Sequence, residues 1–369
     1  MPPLGAGYTL LVGAAPASDE LVDAIRRIEV ECSIDEASVL RIEFGIAATE
    51  GGDWDILEDD PFRPLTQLQL RLQQGTGAPQ ALINAFVTQH HVTYSEAGTS
   101  TLTVTAMDAT YSMNLVETVV AWPNLPDGAI AAEIFGQHDL VPQVDTTSPV
   151  LTDPEGTTIQ RGTDIRFLRR LARRNGFDCY VQPEPLTGLD IGHFHARQLT
   201  GMPQAVLSVE VGDETNVRDF GVRYDLTRAT GANASGIDVQ TKSAQPVQVP
   251  EAQEQSLGSE GTLLRLSPAP TLLPAATGLN KTADIQRAAQ ALVDRSTWSV
   301  AAEGTVGLDV AVLRPGGLVT VRGAGRLYNG TYFLTRVRHT IQPGSVEQRF
   351  EAVRNAVTET GSEIYVEVA

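Results

Sequence analysis

The chain has 369 residues, of which 42% are hydrophobic and 20% are charged, and its formal net charge is −18. This composition is that of a globular protein with two or three domains and excludes a largely disordered chain. The negative charge argues against nucleic acid as a general partner, and no apolar run reaches the roughly 18–20 residues that a membrane span requires.

The two cysteines, Cys32 and Cys179, lie far apart in the sequence and have neither pairing nor metal-ligand spacing. This pattern argues against a disulfide scaffold and fits a reducing compartment. The apolar stretch near the start has no Lys or Arg before it, unlike a signal peptide. We therefore expect a protein that is made and assembled in the cytoplasm of the producing cell.

Alternating apolar and polar residues predict that residues 1–112 are mostly β-strand. Residues 50–64 are rich in acidic and turn-forming residues and predict a surface loop between two of the strands. The apolar positions that alternate are Ile28, Val30, Cys32 and Ile34, then Leu68, Leu70 and Leu72, and then Leu102, Val104 and Ala106.

Residues 113–204 have an α/β character, with a short helix starting near Asp127 and a stronger helix within "GTDIRFLRRLARRNGF". In the second helix Thr163 is the expected N-cap, and Asp164 lies in the first turn, where its charge suits the helix dipole. Gly176 can adopt the left-handed conformation that ends the helix. A strand containing Tyr180 is expected to follow.

Residues 205–357 return to β-strand, apart from a polar stretch near 229–280, where we expect long loops, and a helix within "TADIQRAAQALVDRSTW". The segment 313–341 predicts two strands joined by a turn, because Gly323, Gly325, Asn329 and Gly330 tolerate positive φ. Residues 358–369 are expected to form an extended tail.

A short internal repeat links the two β regions. "FVTQHHVT" at 86–93 matches "FLTRVRHT" at 333–340 at the Phe, the first Thr and the last Thr. An Arg-Pro pair precedes each copy, at Arg63 and Arg314, and an alternating strand follows each. Two similar β modules per chain would let a closed trimer present six equivalent surfaces.

The sequence indicates no catalytic residue, cofactor site or metal site. His193 and His195 would share one strand face, but no third ligand follows them at usable spacing, so surface or hydrogen-bonded histidines are the preferred interpretation. The acidic residues Asp53, Asp55, Glu58, Asp59 and Asp60 lack the spacing of a calcium loop. Nucleophile-elbow, zincin and P-loop patterns are absent from the sequence.

The helix at 164–175 has a dense basic face on an acidic protein. A solvated helix face is one interpretation, and a contact between subunits with acidic residues such as those at 53–60 is the other. The arginines concerned are Arg166, Arg169, Arg170, Arg173 and Arg174.

The helix phrase and the late β segment together resemble the phage late control protein D family, which includes the hub part of VgrG-type proteins. In the helix phrase the matching residues are Asp164, Phe167, Leu168, Arg170, Leu171, Gly176 and Tyr180. In the closing β segment they are Pro315, Gly316, Gly330, Tyr332, Phe333 and His339. These thirteen residues are the candidate structural or interface positions.

The resemblance implies a mainly β protein with an α/β insertion, containing two similar tube-like β-barrel modules and a mixed α/β middle domain. It also implies a homotrimer that forms a pseudo-sixfold ring and adapts a hexameric inner tube to a trimeric spike. The chain stops soon after the second module, so the spike is expected to be a separate protein. Such a baseplate hub contacts other baseplate proteins and performs no reaction.

The expected domains follow from this resemblance and the repeat. The first β module is expected at 1–112, the middle domain at 113–204, the second β module at 205–240 with 300–357, an insertion at 241–299, and a C-terminal tail at 358–369. Two other functions remain open, a distal-tail or receptor-binding module of a phage tail and a cell-wall glycan hydrolase. A hydrolase would need clustered carboxylates with shifted pKa values.

Overall fold

The computed structural model describes residues 6–58, 60–96, 100–147, 157–237, 242–263, 270–272 and 282–365. The protein is mainly β, as the sequence predicts. The first part of the chain is formed by β1 (Ala6–Val12), β2 (Ala15–Pro16), α1 (Asp19–Asp23), β3 (Ile25–Ser33), β4 (Val39–Gly45), α2 (Asp55–Glu58), β5 (Gln67–Gln74), β6 (Gln80–Thr93) and β7 (Thr101–Met107).

The middle part of the chain mixes helices with short strands. Helix α3 begins at Asp127, where the sequence predicts a helix start. The elements are β8 (Thr118–Trp122), α3 (Asp127–Gln137), β9 (Val141–Val144), β10 (Thr158–Gly162), α4 (Asp164–Asn175), β11 (Asp178–Pro183) and β12 (Asp190–His195).

The last part of the chain returns to strands around one further helix. Its elements are β13 (Val206–Ser208), β14 (Val217–Tyr224), β15 (Gly231–Ile237), β16 (Ala244–Val249), β17 (Glu260–Gly261), β18 (Thr271–Leu272), α5 (Thr282–Thr297), β19 (Val300–Gly307), β20 (Leu318–Arg322), β21 (Gly330–Gln342), β22 (Ser345–Arg354) and β23 (Ala356–Val357).

Strands from both ends of the chain form one large sheet, with the order β14-β19-β22-β21-β3-β4-β7-β6-β5-β1-β2 and with β20 and β13 attached beside β21. The prediction of two barrels is wrong, because the described strands close no barrel. The physical reason is that β21 uses its free edge to pair with β3 of the other module, from Arg336–Ser33 to Ile341–Ile28, so neither module closes on itself.

One face of this sheet is buried and the other is solvated. In β7, buried and partly exposed residues alternate along the whole strand. Because successive side chains point to opposite faces, this alternation places Leu102, Val104 and Ala106 in the core. Each aliphatic side chain that is fully buried stabilises the fold by about 1.5–3 kcal/mol.

The sequence repeat corresponds to the same strand arrangement in both halves. Phe86 of β6 pairs with β5 and β7, and Phe333 of β21 pairs with β20 and β22 in the same way. Two residues later each central strand has a register shift, at Thr88 and at Thr335. Each of these Thr hydroxyls donates to a carbonyl of the following strand over 3.2 Å. The matched Phe and Thr therefore mark where the central strand changes partner and bulges.

The equivalence extends to two further strands in each half. The orders β3-β4-β7-β6-β5 and β14-β19-β22-β21-β20 match, and all four ladders within each set are antiparallel. The β3–β4 and β14–β19 ladders also share a register shift, at Arg26 and at Arg218. Residues 225–299 lie between β14 and β19 and have no counterpart between β3 and β4.

The entry to each repeat has a residue in the left-handed region. Leu65 has φ of 64° and Gly316 has φ of 84°, and each follows the proline of an Arg-Pro pair. The backbone N–H of each donates to the central strand over 2.8 Å, from Leu65 to Val87 and from Gly316 to Leu334. The left-handed conformation is costly for a leucine, so the same turn geometry is retained in the first copy without a glycine.

Helix α4 ends as predicted but begins differently in detail. Gly176 has φ of 74° and forms the C-cap. Thr163 is at the N-cap position, but its hydroxyl does not cap the helix and instead donates to the side-chain oxygen of Asn114 over 2.9 Å. The predicted capping hydrogen bond is therefore replaced by a tertiary contact.

Candidate functional site

The second half of β6 has an edge that no described strand occupies. Strand β5 pairs with β6 only from Gln80 to Phe86, and the loop before β5 extends this contact as far as Val87. Beyond that point Gln89, His90 and His91 are on the surface, and Tyr94 is 59% exposed. On this side, the backbone groups of β6 after Val87 pair with no other strand in the described residues, as in an edge strand.

The outer edge of β14 is the other end of the sheet. In the described part of the chain β14 pairs with β19 alone. Its residues Phe220, Val222 and Tyr224 lie on one strand face and are only half-buried. An edge with partly exposed aromatic and β-branched side chains is a template for pairing with another strand.

The equivalent positions are paired where the two repeats meet inside the chain. The half of β21 that corresponds to the open half of β6 pairs with β3, and β3 corresponds to β14. There Val30 and His339 are opposite each other, and both are completely buried. On the solvated face Arg338 donates to Glu31 over 3.0 Å through its Nε. The two repeats are therefore paired with each other inside the chain, while the matching edges of β6 and β14 pair with no other strand in the described residues.

Most of the predicted positions of α4 are core residues of the middle region. Phe167, Leu168 and Leu171 are buried in the cluster that also contains the apolar face of α3. Asp164 in the first turn accepts a hydrogen bond from the Gln160 side chain and lies 2.8 Å from the His138 ring. Arg170 is exposed and lies over the Phe167 ring at 5.2 Å.

Three of the predicted residues bring the middle region and the second repeat together. A Cβ atom at Gly316 would lie 2.5 Å from the hydroxyl oxygen of Tyr180, so the turn after Pro315 can approach β11 closely only with glycine. Tyr180 also stacks on His193 with ring centroids 4.4 Å apart. Tyr180 and Phe333 belong to the same buried cluster, which joins the two parts of the chain.

Gly330 and Tyr332 lie next to a buried arginine, Arg354, that is not among the positions predicted from the sequence. Arg354 is completely buried, and its guanidinium donates to the carbonyls of Leu257, Asn329 and Thr358. It also lies over the Tyr332 ring at 5.5 Å. The burial of Arg354 could have been predicted from the sequence. Arg354 lies two and four residues after Ala352 and Phe350, so its side chain points to the same buried face of the strand.

His339 is completely buried between neighbouring strands. Among the described residues neither ring nitrogen has a hydrogen bond of good geometry, and a weak contact with the Leu313 backbone favours the protonated form only slightly. Burial, with a smaller contribution from the nearby Arg314, lowers the pKa of His339 to about 3. The ring is therefore neutral at physiological pH and acts as a packing group between β3 and β22.

This environment predicts an acid-sensitive contribution to stability. The folded-state pKa of about 3 lies below the ordinary value of about 6.5, so the unfolded chain binds the extra proton between these pH values. Stability from His339 is complete above about pH 6.5 and decreases as the pH falls, by at most about 1.4 kcal/mol per pH unit. Replacing His339 with leucine should remove this component.

The measurement is urea unfolding of both proteins between pH 7.5 and 4.5. Because all other titrating groups are common to both, the wild-type stability minus that of the His339→Leu variant isolates this residue. That difference should become steadily less favourable to the wild type as the pH falls. A difference that stays constant with pH would show that His339 is not a buried neutral ring.

The other histidines and the acidic segment form no metal centre in the described residues. His193 and His195 are buried and hydrogen-bond each other over 3.0 Å, which agrees with the hydrogen-bonded interpretation. Residues 55–58 of the acidic segment form α2, and Asp59 lies outside the described residues. Both cysteines are free and buried.

The basic residues of α4 have different surroundings. Arg174 pairs with Asp127, and Arg166 lies 3.6 Å from Glu117. Arg169 and Arg173 line a cleft next to α5.

Among the helices that the structure describes, none is long and apolar enough to cross a bilayer.

Two solved structures that are similar to this chain are tail proteins. A tail protein from Neisseria meningitidis MC58 has a TM-score of 0.67 at 12% identity, over 95% of this chain and 97% of that one. The 43 kDa tail protein of prophage MuSo2 from Shewanella oneidensis has a TM-score of 0.66 at 14% identity, over 95% and 99%.

A third similar structure belongs to an Escherichia coli component of the type VI secretion system that is itself similar to the T4 bacteriophage tail proteins gp27 and gp5. Its TM-score is 0.57 at 12% identity, over 95% of this chain and 76% of that one. At such identities the likeness is one of fold, and the chain has a phage-tail-type fold.

No curated protein matches the sequence. The family model described as the Alg8 N-terminal domain matches residues 7–343. The chain therefore belongs to the Alg8 N-terminal domain family.

Proposed function

We propose that the protein is a structural baseplate hub of a contractile phage tail or of a phage-tail-like injection system. Three copies form a ring of six similar repeats that joins a hexameric inner tube to a separate trimeric spike. The hub contacts other baseplate proteins, catalyses no reaction and is assembled in the cytoplasm of the producing cell. The phage-tail-type fold and the resemblance to the late control protein D and VgrG-type hubs support this proposal.

The observation that carries the proposal is the pair of unpaired edges that match the joint inside the chain. Applying the β21–β3 register to β6 and to β14 of a second copy gives a definite set of opposed residues. The opposed pairs are Gln89–Asp225, His90–Tyr224, His91–Arg223, Val92–Val222, Thr93–Gly221 and Tyr94–Phe220.

The chemistry of these pairs is suitable for a joint between subunits. Val92 and Tyr94 on one edge and Phe220, Val222 and Tyr224 on the other are half-buried or exposed in a single chain. Their counterparts inside the chain, such as Ile28 and Ile341, are at most 4% exposed. Pairing the two edges would remove the partly exposed apolar groups from water, as it does at the internal joint.

The joint is head-to-tail, because β6 of one copy would meet β14 of the next. Such contacts either close into a ring or continue as a filament. If the ring closes after three copies, it contains six similar repeats around its axis. This is the pseudo-sixfold symmetry that the hub resemblance implies. The solvated face of the sheet would then line the ring with balanced charges, such as Arg338 with Glu31 and Arg349 with Glu303.

The predicted division into domains belongs to this proposal, with modules at 1–112 and at 205–240 with 300–357, a middle domain at 113–204 and an insertion at 241–299. The tail at 358–369 is the candidate segment for docking the spike. Its first residue is fixed, because Thr358 donates to the Leu327 carbonyl over 3.0 Å. Residues 366–369 lie outside the described part.

Engineered disulfides test the ring and its register together. His91 and Arg223 are exposed and on the solvated face, and the proposed register makes them a directly opposed pair. In the variant with cysteine at both positions, mild oxidation should link neighbouring copies, because opposed residues of antiparallel strands lie within the distance that a disulfide spans. Denaturing gels without reductant should show covalent dimers and trimers, and native mass spectrometry should show a trimer.

The matched control carries His91→Cys with Asp219→Cys. Asp219 has the same strand parity as Arg223 but lies four residues along the strand, roughly 13 Å away, which is too far for a disulfide. Cys32 and Cys179 are buried and should not interfere. A trimer that forms no His91–Arg223 cross-link would exclude the proposed β6–β14 contact but would remain consistent with a trimeric hub. A protein that is monomeric under all conditions would contradict both the contact and the hub.

A further inference from the structure

A cleft of about 310 Å³ lies where α4, α5, the end of β3 and the bulge of β21 meet. Five arginines and two aspartates, Asp35 and Asp178, contribute to its lining, so the cleft is basic although the whole chain has a net charge of −18. The arginines are Arg169, Arg173, Arg197, Arg228 and Arg295.

Two of the charged residues in the cleft already neutralise each other. Arg197 donates to both carboxylate oxygens of Asp178, through Nε over 3.0 Å and through Nη2 over 3.4 Å. The guanidinium also lies over the Trp298 ring at 4.4 Å. This pair fixes one wall of the cleft and leaves Asp35 as the other acidic group facing the remaining arginines.

Arg169 has the same donor edge as Arg197 but no partner for it. Its Nε and Nη2 atoms are buried and make no hydrogen bond with any residue that the structure describes. In Arg174, further along α4, the same two atoms bind the two oxygens of Asp127. The Nε–Nη2 edge of arginine matches the two oxygens of a carboxylate or phosphate group.

The surrounding charges favour an anion at this position. Burial, together with the neighbouring Arg197 and Arg173, lowers the pKa of Arg295, while Asp178 and Asp35 act in the opposite direction. Burial and the neighbouring Asp178 raise the pKa of Asp35, whereas Arg197, Arg169 and Arg336 act in the opposite direction, as cations that favour a negative charge do. A bound oxyanion would satisfy the Arg169 donors and reduce the repulsion among the arginines.

We propose that this cleft binds an oxyanion, either a carboxylate or a phosphate group, held by the Nε–Nη2 edge of Arg169 with Arg173 and Arg295 beside it. Because the cleft is bounded by both long helices and by both repeats, a bound anion would hold these parts together. Carboxylates of an acidic peptide segment and free phosphate present the same chemistry, and the experiment distinguishes them.

The test is thermal unfolding and titration calorimetry of the full chain at constant ionic strength. The two probes are inorganic phosphate and a peptide with the sequence of residues 50–60, which carries six acidic residues in "EGGDWDILEDD". At a concentration of about 100 Kd, a ligand that binds the folded state should raise Tm by roughly 3 °C or more. Titration should give one site per chain.

Substitution of the arginines identifies the site. Arg169→Gln should weaken binding at least about tenfold, since it removes the charged bidentate contact. Arg166→Gln is the matched control, because Arg166 lies on the same helix, is exposed and contacts Glu117 outside the cleft. It should leave the affinity within about twofold of the wild type.

The same variants separate a ligand contact from a structural one. In buffer without phosphate or peptide, Arg169→Gln should be as stable as the wild type, because these Arg169 donors have no described partner to lose. A variant that is equally destabilised with and without the probes would show that Arg169 has a structural role. Absence of a Tm shift with both probes, or a shift unchanged in Arg169→Gln, would overturn the proposal.

Discussion

Gly330→Ala is expected to be among the most damaging single substitutions in the chain, with a loss of about 4 kcal/mol or more of folding free energy. Gly330 has φ of 125°, which an alanine adopts only with strain. A Cβ atom there would also lie 2.6 Å from Nη2 of the Arg354 guanidinium. Displacing that buried guanidinium would leave three backbone carbonyls without their donor.

The matched control is Gly325→Ala in the same hairpin. Gly325 has φ of 82°, but a Cβ atom there would meet nothing within 4 Å. Gly325→Ala should therefore lower the free energy of unfolding only by the cost of placing an alanine at positive φ, roughly 1–2 kcal/mol. Urea unfolding of both variants provides the comparison, and similar losses for the two would contradict a role for Arg354 in excluding a side chain at 330.

A double-mutant cycle tests the physical cause. In a protein that already carries Arg354→Met, Gly330→Ala should lower the free energy of unfolding by little more than the cost of an alanine at positive φ. The reason is that the flexible methionine can move away from the new Cβ atom. The coupling free energy between the two positions should be about 2 kcal/mol or more. Strictly additive losses would show that the strain at Gly330 does not involve Arg354.

The sequence predicts the central part of each repeat because its matching residues have defined structural roles. Phe86 and Phe333 lie where the central strand changes partner, and Thr88 and Thr335 supply the hydroxyl that bonds across the bulge. The Arg-Pro pairs precede a left-handed residue in both copies. The Phe and the Thr keep the same spacing in both copies, and this makes them recognisable in a single sequence, whereas the Arg-Pro pair lies 23 residues before the Phe in the first copy and 19 in the second.

The remaining strands of the repeat could not be paired from the sequence. In β3 the residues facing the core are Ile28, Val30 and Cys32, whereas in β14 the corresponding face has two aromatic residues around Val222. Residues 225–299 also separate β14 from its partner β19. Any alternating pattern fits either strand, so only the backbone pairing reveals the equivalence.

The candidate site was predicted in part for a similar reason. Gly316, Gly330 and Tyr332 are predicted because they match the residues that carry the family resemblance, and Gly330 also because it tolerates the positive φ of a turn. Their partners Tyr180 and Arg354 are distant or belong to another strand, so the contacts depend on tertiary packing. The open edges could not be predicted at all, because an unpaired strand and a paired strand have the same alternation.

Val222→Pro is expected to separate the ring into folded monomers. Asp225 donates its backbone N–H to Ser299, which precedes β19, so the alternation along β14 directs the N–H of Val222 to the outer edge. Proline is tolerated in an edge strand when its position faces away from the internal ladder. The substitution therefore removes a hydrogen bond of the proposed joint but none within the chain.

Sedimentation or native mass spectrometry measures the effect, and circular dichroism checks that the monomer keeps its fold. Val222→Ala, which retains the N–H, is the control and should weaken the trimer much less. Phe220→Asp provides an independent disruption, because it keeps every backbone donor but places a carboxylate opposite Tyr94 of the next copy. Since an unpaired buried charge is strongly unfavourable, this variant should also be monomeric. Intact trimers in both Val222→Pro and Phe220→Asp would exclude β14 as the surface that joins the subunits.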